Sequence, residues 1–166
     1  MANRWPPWEV TSLKVGLESL SNLVEKPADH NLSDEVHGWL CRLLVVRSCG
    51  YLEQATIEVC RSYLDGKSGG LVKSFAKSWL DKSRNPTPDN LQQLVGRFDN
   101  GLGEEFQEFL GQDDQRVYRE IFFLVDRRNK IAHGLSESVG HKKAIQLKCV
   151  VYEVVDWFVL RLNPNR

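Results

Sequence analysis

The chain has 166 residues and a mass of 19.1 kDa, enough for one domain with a sizeable core and too little for two of ordinary size. With 22 basic residues against 22 acidic ones, it is not a polyanion binder by overall charge, and any nucleic-acid site must come from local clustering. No apolar run approaches the ~18 residues a membrane span needs, and residues 1–7 hold no apolar signal core, so the expectation is a cytoplasmic protein with no membrane partner.

The dominant hydrophobic period is helical. A first helix is predicted over 8–24, with Trp8, Leu13, Leu17, Leu20 and Val24 as its apolar stripe and Pro27 beyond its end. Ser33 is placed as an N-cap, with Asp34 and Glu35 in the first turn of a long helix that runs towards Leu64 and stops in the Gly-rich stretch 65–70. Gly50 inside it costs about 1 kcal/mol relative to Ala and reads as a point of close packing against another backbone. Cys41, Cys49 and Cys60 recur on one face of that helix and read as buried small hydrophobes. No C-x-x-C pair occurs, and His30, His37, His133 and His141 add no ligand spacing, so neither a metal nor another cofactor is expected.

Shorter helices are predicted over 71–82 and over 89–98, the second started by Thr87-Pro88. Residues 99–113 hold five acids, no base and three glycines, and read as a loop with a helical turn over 104–110. A strong helix over 113–133 is stopped by Gly134, and a last one over 140–162 ends before Pro164. The sum is an all-α helical bundle of about five main helices, with shorter helices between, in a single domain over 1–166. Val150, Val151, Val154, Val155, Trp157, Phe158 and Leu160 make the last helix apolar over much of its circumference. Such a helix is either central to the bundle or half-covered by a second subunit.

Residues 115–148 carry eight cations against three carboxylates, a local excess of five positive charges. Within them lies Asp126-Arg127-Arg128-Asn129-Lys130-Ile131-Ala132-His133-Gly134. Arg128 and His133 form R-x4-H, with a polar residue directly after the arginine, in the last turns of a helix closed by glycine. As bare spacing the pattern is weak; its position is more specific. Here the sequence resembles the HEPN superfamily, whose motif is R-x4–6-H. A second stretch, from Val45 to Glu53 with Arg47, Gly50 and Glu53, resembles the early long helix of the RiboL-PSP-HEPN subgroup, as does the turn Asn85-Pro86-Thr87-Pro88. The resemblance spans about 40–162 and leaves residues 1–39 uncovered.

That resemblance implies an α-helical bundle, a symmetric homodimer and a metal-independent ribonuclease whose site lies in the dimer cleft. The cleavage it implies is transesterification through a 2′,3′-cyclic phosphate. His133 would be the general acid–base, Arg128 the clamp on phosphate and transition state, and Asn129 the orienting residue, being four before His133 on one helix face. Asp126 could extend that row, and Glu53 is expected to support Arg128. Arg47, Arg127, Lys130, Lys142 and Lys143 are the candidate RNA contacts. The partners implied are RNA, a second copy of the chain and an antitoxin or regulatory protein, as for a toxin or antiviral defence effector.

Each residue also has a plainer reading. A histidine before a helix-ending glycine can simply cap the last carbonyls. Arg128 lies on the apolar stripe of Val117, Ile121, Leu124 and Val125 and can be a structural ion-pair partner, and Arg47 can line the cleft or face solvent. For the whole chain, the alternatives are a non-catalytic HEPN module that binds RNA or nucleotide or mediates dimerisation, and a helical adaptor. The sharpest expectation concerns Glu53, which shares a stripe with Cys49, Ile57 and Cys60. If Glu53 and Arg128 both face the core, they must meet within one subunit, and removing Glu53 from a truly buried pair costs roughly 3–5 kcal/mol.

Overall fold

A computed structural model describes residues 5–82, 84–135 and 138–166. In chain order these form α1 (Trp8–Glu25), a 3₁₀ turn (Ala28–His30), α2 (Asp34–Lys67), α3 (Gly70–Ser78), α4 (Pro88–Gly96), α5 (Asn100–Ala132) and α6 (His141–Arg161). No strand occurs among the described residues. The starts follow the capping chemistry of the sequence. Ser33 Oγ accepts the Val36 N–H at 3.3 Å, and Thr87 Oγ accepts the Asn90 N–H at 3.2 Å with Pro88 in the first helical position.

The long α2 is the spine, with α1, α5 and α6 packed on it and the short α3 resting on its C-terminal half. One hydrophobic core runs from Val10 to Leu162, and Cys41, Cys49 and Cys60 lie inside it, as their shared face predicts. A buried lysine joins α6 to α1: Lys148 Nζ donates to Ser21 Oγ at 2.8 Å and stands 3.4 Å from Glu18 and 3.7 Å from Glu25. The cation is acceptable there because three oxygens answer it.

Two expectations need correction, and one choice left open is decided. Residues 99–113 are mostly helix: Asp99 caps α5 by accepting the Leu102 N–H at 3.0 Å, and the helix continues until Gln112–Gln115 break it. The glycines lowered the intrinsic propensity, but burial of Phe106 against Trp157 and Phe158, with ring centroids 4.7 and 5.5 Å away, outweighs it. The break itself is a run of left-handed residues, Asp113, Asp114 and Gln115. The open choice concerns α6. Its valines and Phe158 are consumed within the protomer by α1, α2 and α5, so the helix is central and leaves no broad apolar face for a second subunit.

Gly50 is the second correction. A Cβ built there meets nothing within 4 Å, whereas a Cβ on Gly103 would stand 3.1 Å from the Gly96 Cα, so the close backbone approach lies there. Gly50→Ala should therefore raise stability by about 0.5–1 kcal/mol, the ordinary gain of replacing glycine in a helix interior. Urea unfolding checks this. A loss of stability would mean that something outside the protomer packs against Gly50.

Candidate active site on α5

The last turns of α5 end in a glycine cap made by the backbone. Gly134, at φ +74°, donates its N–H to the Ile131 carbonyl at 3.1 Å, and Leu135 donates to the Lys130 carbonyl at 3.0 Å. His133 is the C-cap residue, with φ −86° and ψ 9°, and its own N–H goes to the Asn129 carbonyl. The terminal carbonyls therefore do not need the imidazole. The ring is exposed and makes no hydrogen bond among the described residues. The capping reading of His133 falls away.

Arg128 is held from three directions. Its Nη1 donates to Asn85 Oδ1 at 3.0 Å and to Asn129 Oδ1 at 2.9 Å, while Nη2 stands 3.8 Å from Glu53 Oε2. Glu53 and Arg128 thus meet within one subunit, as their two helical stripes require. The pair is less buried than expected, with 23% of the carboxylate side chain and 30% of the guanidinium side chain exposed. Beneath it lies Cys49, whose thiol burial pushes up to about 11, Arg128 opposing that shift and Glu53 adding to it. At neutral pH it stays a thiol and brings no third charge to the pair. Nε–H and one Nη2–H of Arg128 have no partner among the described residues.

The other sequence-predicted residues divide. Asn129 gives its Oδ1 to Arg128, and no hydrogen bond joins it to the His133 ring among the described residues. Asp126 pairs with Lys130 at 3.0 Å rather than extending that row. Arg127 lies over the Phe123 ring at 4.7 Å, and Lys143 is bound by both oxygens of Glu120 at 2.8 and 2.6 Å. Arg47 and Lys142 are exposed and have no ion pair among the described residues, and Arg47 does not touch the Arg128 group. The positive excess of 115–148 is largely answered from elsewhere, since Arg116 is bidentate to Glu153 and Lys148 pairs with Glu18 and Glu25. Sequence reasoning missed Asn85 as an Arg128 ligand. Its only signal was the Asn-Pro-Thr-Pro turn, which Asn90 Nδ2 closes by donating to the Asn85 carbonyl at 2.8 Å.

With this geometry in view, the comparison with known families is decisive for the fold. The RiboL-PSP-HEPN family model matches residues 13–158. The chain belongs to the RiboL-PSP-HEPN family. The family match takes in most of α1 and all of α2, so it begins well before residue 40, where the sequence resemblance began. Neither the curated proteins nor the solved structures yield a match. For this RiboL-PSP-HEPN chain, no group of three His, Cys, Asp or Glu suited to a metal ion occurs among the described residues, nor is any helix long and apolar enough to cross a membrane.

The half-buried frame sets the cost of removing Glu53. At 3.8 Å and with both partners partly wet, Glu53→Ala should cost about 1–2 kcal/mol rather than the 3–5 of a fully buried pair. Glu53→Gln should cost under about 1 kcal/mol, yet lower any RNA cleavage more than Glu53→Ala's stability loss alone would explain. Denaturation midpoints read beside cleavage rates check both statements. Equal activity in Glu53→Gln and wild type would show that the carboxylate does not position Arg128.

Proposed function

We propose that this chain is a metal-independent endoribonuclease that cleaves RNA phosphodiesters in a cleft between two copies of itself. One observation carries the reading: a guanidinium framed so that N–H donors are left over, on the same helix end as a histidine with no capping duty. In the proposed step the 2′-oxygen gives its proton to His133 and attacks phosphorus. The bond from phosphorus to the 5′-oxygen breaks, and that oxygen takes up the proton that His133 then holds as imidazolium. The products are a 2′,3′-cyclic phosphate and a 5′-OH. Charge growing on the non-bridging oxygens is met by Arg128.

Arg128 and His133 lie ~140° apart around α5 and ~7.5 Å apart along it, so one protomer does not aim both at one atom. Phe122, Asp126, Asn129 and His133 share a side of α5 by their spacing, and Phe122 is 59% exposed. A two-fold axis beside that row would gather two Arg128–His133 pairs into one cleft. Of the five candidate RNA contacts, Arg47 and Lys142 are the better placed, because Arg127, Lys130 and Lys143 already have partners on the protein. A nuclease of this kind working in the cytoplasm needs restraint, which an antitoxin or regulatory protein covering the cleft would supply. The second reading, a non-catalytic module that binds RNA or nucleotide, draws on the cavity beside the Arg128 frame, lined in part by Glu53 and Asn85.

The test uses purified protein, RNA and EDTA. Cleavage should proceed without divalent metal, and His133→Ala should lower it by at least ~100-fold with the helical fold intact. Light scattering of the active protein should give the mass of two chains. Activity that needs added Mg²⁺, that survives in His133→Ala, or that belongs to a monomer overturns the composite site.

A further inference from the structure

Beside the Arg128 frame, a cavity of about 350 Å³ opens between α2, α3 and α4, within the range of small-molecule sites. Glu53 and Asn85, two of the residues that hold Arg128, form part of its wall. Three aromatic rings line it, Phe75, Trp79 and Phe98, and so do three cations, Lys82, Arg84 and Arg97. Several cations elsewhere are paired, among them Arg61 with Glu58 and Asp81, Arg116 with Glu153 and Lys143 with Glu120. Around the cavity, none of the three has an ion pair among the described residues.

Two of these cations rest on an aromatic face instead. Lys82 Nζ and the Arg97 guanidinium carbon stand 5.3 and 4.7 Å from the centre of the Trp79 ring. Trp79 is 45% exposed and Phe75 68%, so both rings present surface to water beside the cavity. Glu53 is the only carboxylate among the described lining residues, and it stands against Arg128. An apolar ligand would leave the cations unexplained, and a bare anion would leave the rings unexplained. A flat ring that carries phosphate answers both.

We propose that this cavity binds the base of the RNA nucleotide adjoining the phosphate held by Arg128. Trp79 and Phe98 offer the base a stacking surface. Lys82 and Arg97, on flexible stems, exchange the Trp79 ring for the next phosphate, and Arg84 closes the same rim. The walls offer few polar edges, so the site takes a base with little preference among the four. The proposal rests on the RNA-cleavage reading, and its test is chosen to fail separately from it.

The probe is a fluorescent 2′-O-methyl oligoribonucleotide, which lacks the nucleophile and reports binding alone. Trp79→Ala should weaken binding by about 5- to 150-fold, the factor expected for loss of one stacked base, and Trp79→Phe should restore most of it. Arg97→Glu, on an exposed residue at the end of α4, should weaken binding as well, and circular dichroism should show both variants folded. Free nucleoside monophosphate should compete, but only at much higher concentration than the oligonucleotide. Binding unchanged in Trp79→Ala and Arg97→Glu overturns the site, as does capture of the monophosphate without the oligonucleotide. If binding falls in the variants while no RNA is ever cut, the cavity assignment stands and the nuclease reading fails. If RNA is cut while the variants bind normally, the reverse holds.

Discussion

A half-buried guanidinium is met by oxygen acceptors, and at Arg128 they come from three separate stretches of chain. Glu53 comes from the middle of α2, Asn85 from the turn before α4, and Asn129 from α5 itself. The charge therefore ties the spine of the bundle to the connection after α3 and to the helix that carries His133. Arginine suits this role because its donors form a rigid planar fork, so acceptors on one edge leave the other edge aimed and unspent.

The helix end repeats this logic with backbone groups. Gly134 can adopt φ +74° without a Cβ penalty, which lets two N–H groups satisfy the last carbonyls of α5. A histidine at such a terminus ordinarily interacts with the carbonyls or the helix dipole. Here the glycine cap removes the first duty and leaves the imidazole exposed at the edge of the helix. Arg128 is fixed by side chains, His133 by the backbone alone.

Much of this was legible in the sequence because it depends on periodicity and caps. The stripes Cys49–Glu53–Cys60 and Ile121–Leu124–Arg128 were enough to bring Glu53 to Arg128. Ser33 and Thr87 marked helix starts because their hydroxyls have one local task. What was not legible depends on contacts distant in sequence. Helix over 100–111 exists because Phe106 reaches Trp157 and Phe158, which no local propensity reports. Asn85 finds Arg128 across 43 positions. The apparent basic patch of 115–148 shrinks because Glu153, Glu18, Glu25 and Glu53 answer Arg116, Lys148 and Arg128 from other helices. The amide expected to orient His133 is engaged by Arg128 instead, a partner one position away that the row from Asn129 to His133 did not weigh.

The distribution of charge follows from the same accounting. Lys148, buried between helices, is paired, while three cations without an ion pair among the described residues, Lys82, Arg84 and Arg97, line the cavity beside the Arg128 frame. The functional reading stands on the claim that Arg128 acts as a positioned fork and not merely as a positive charge. The most direct measurement is the single-turnover rate of RNA cleavage by Arg128→Lys, taken beside its unfolding midpoint. A lysine keeps the charge but cannot address Glu53, Asn85, Asn129 and a phosphate together, so the rate should fall by about 100-fold or more in a protein that remains folded. A lysine variant that cuts RNA within a few-fold of wild type would contradict the account.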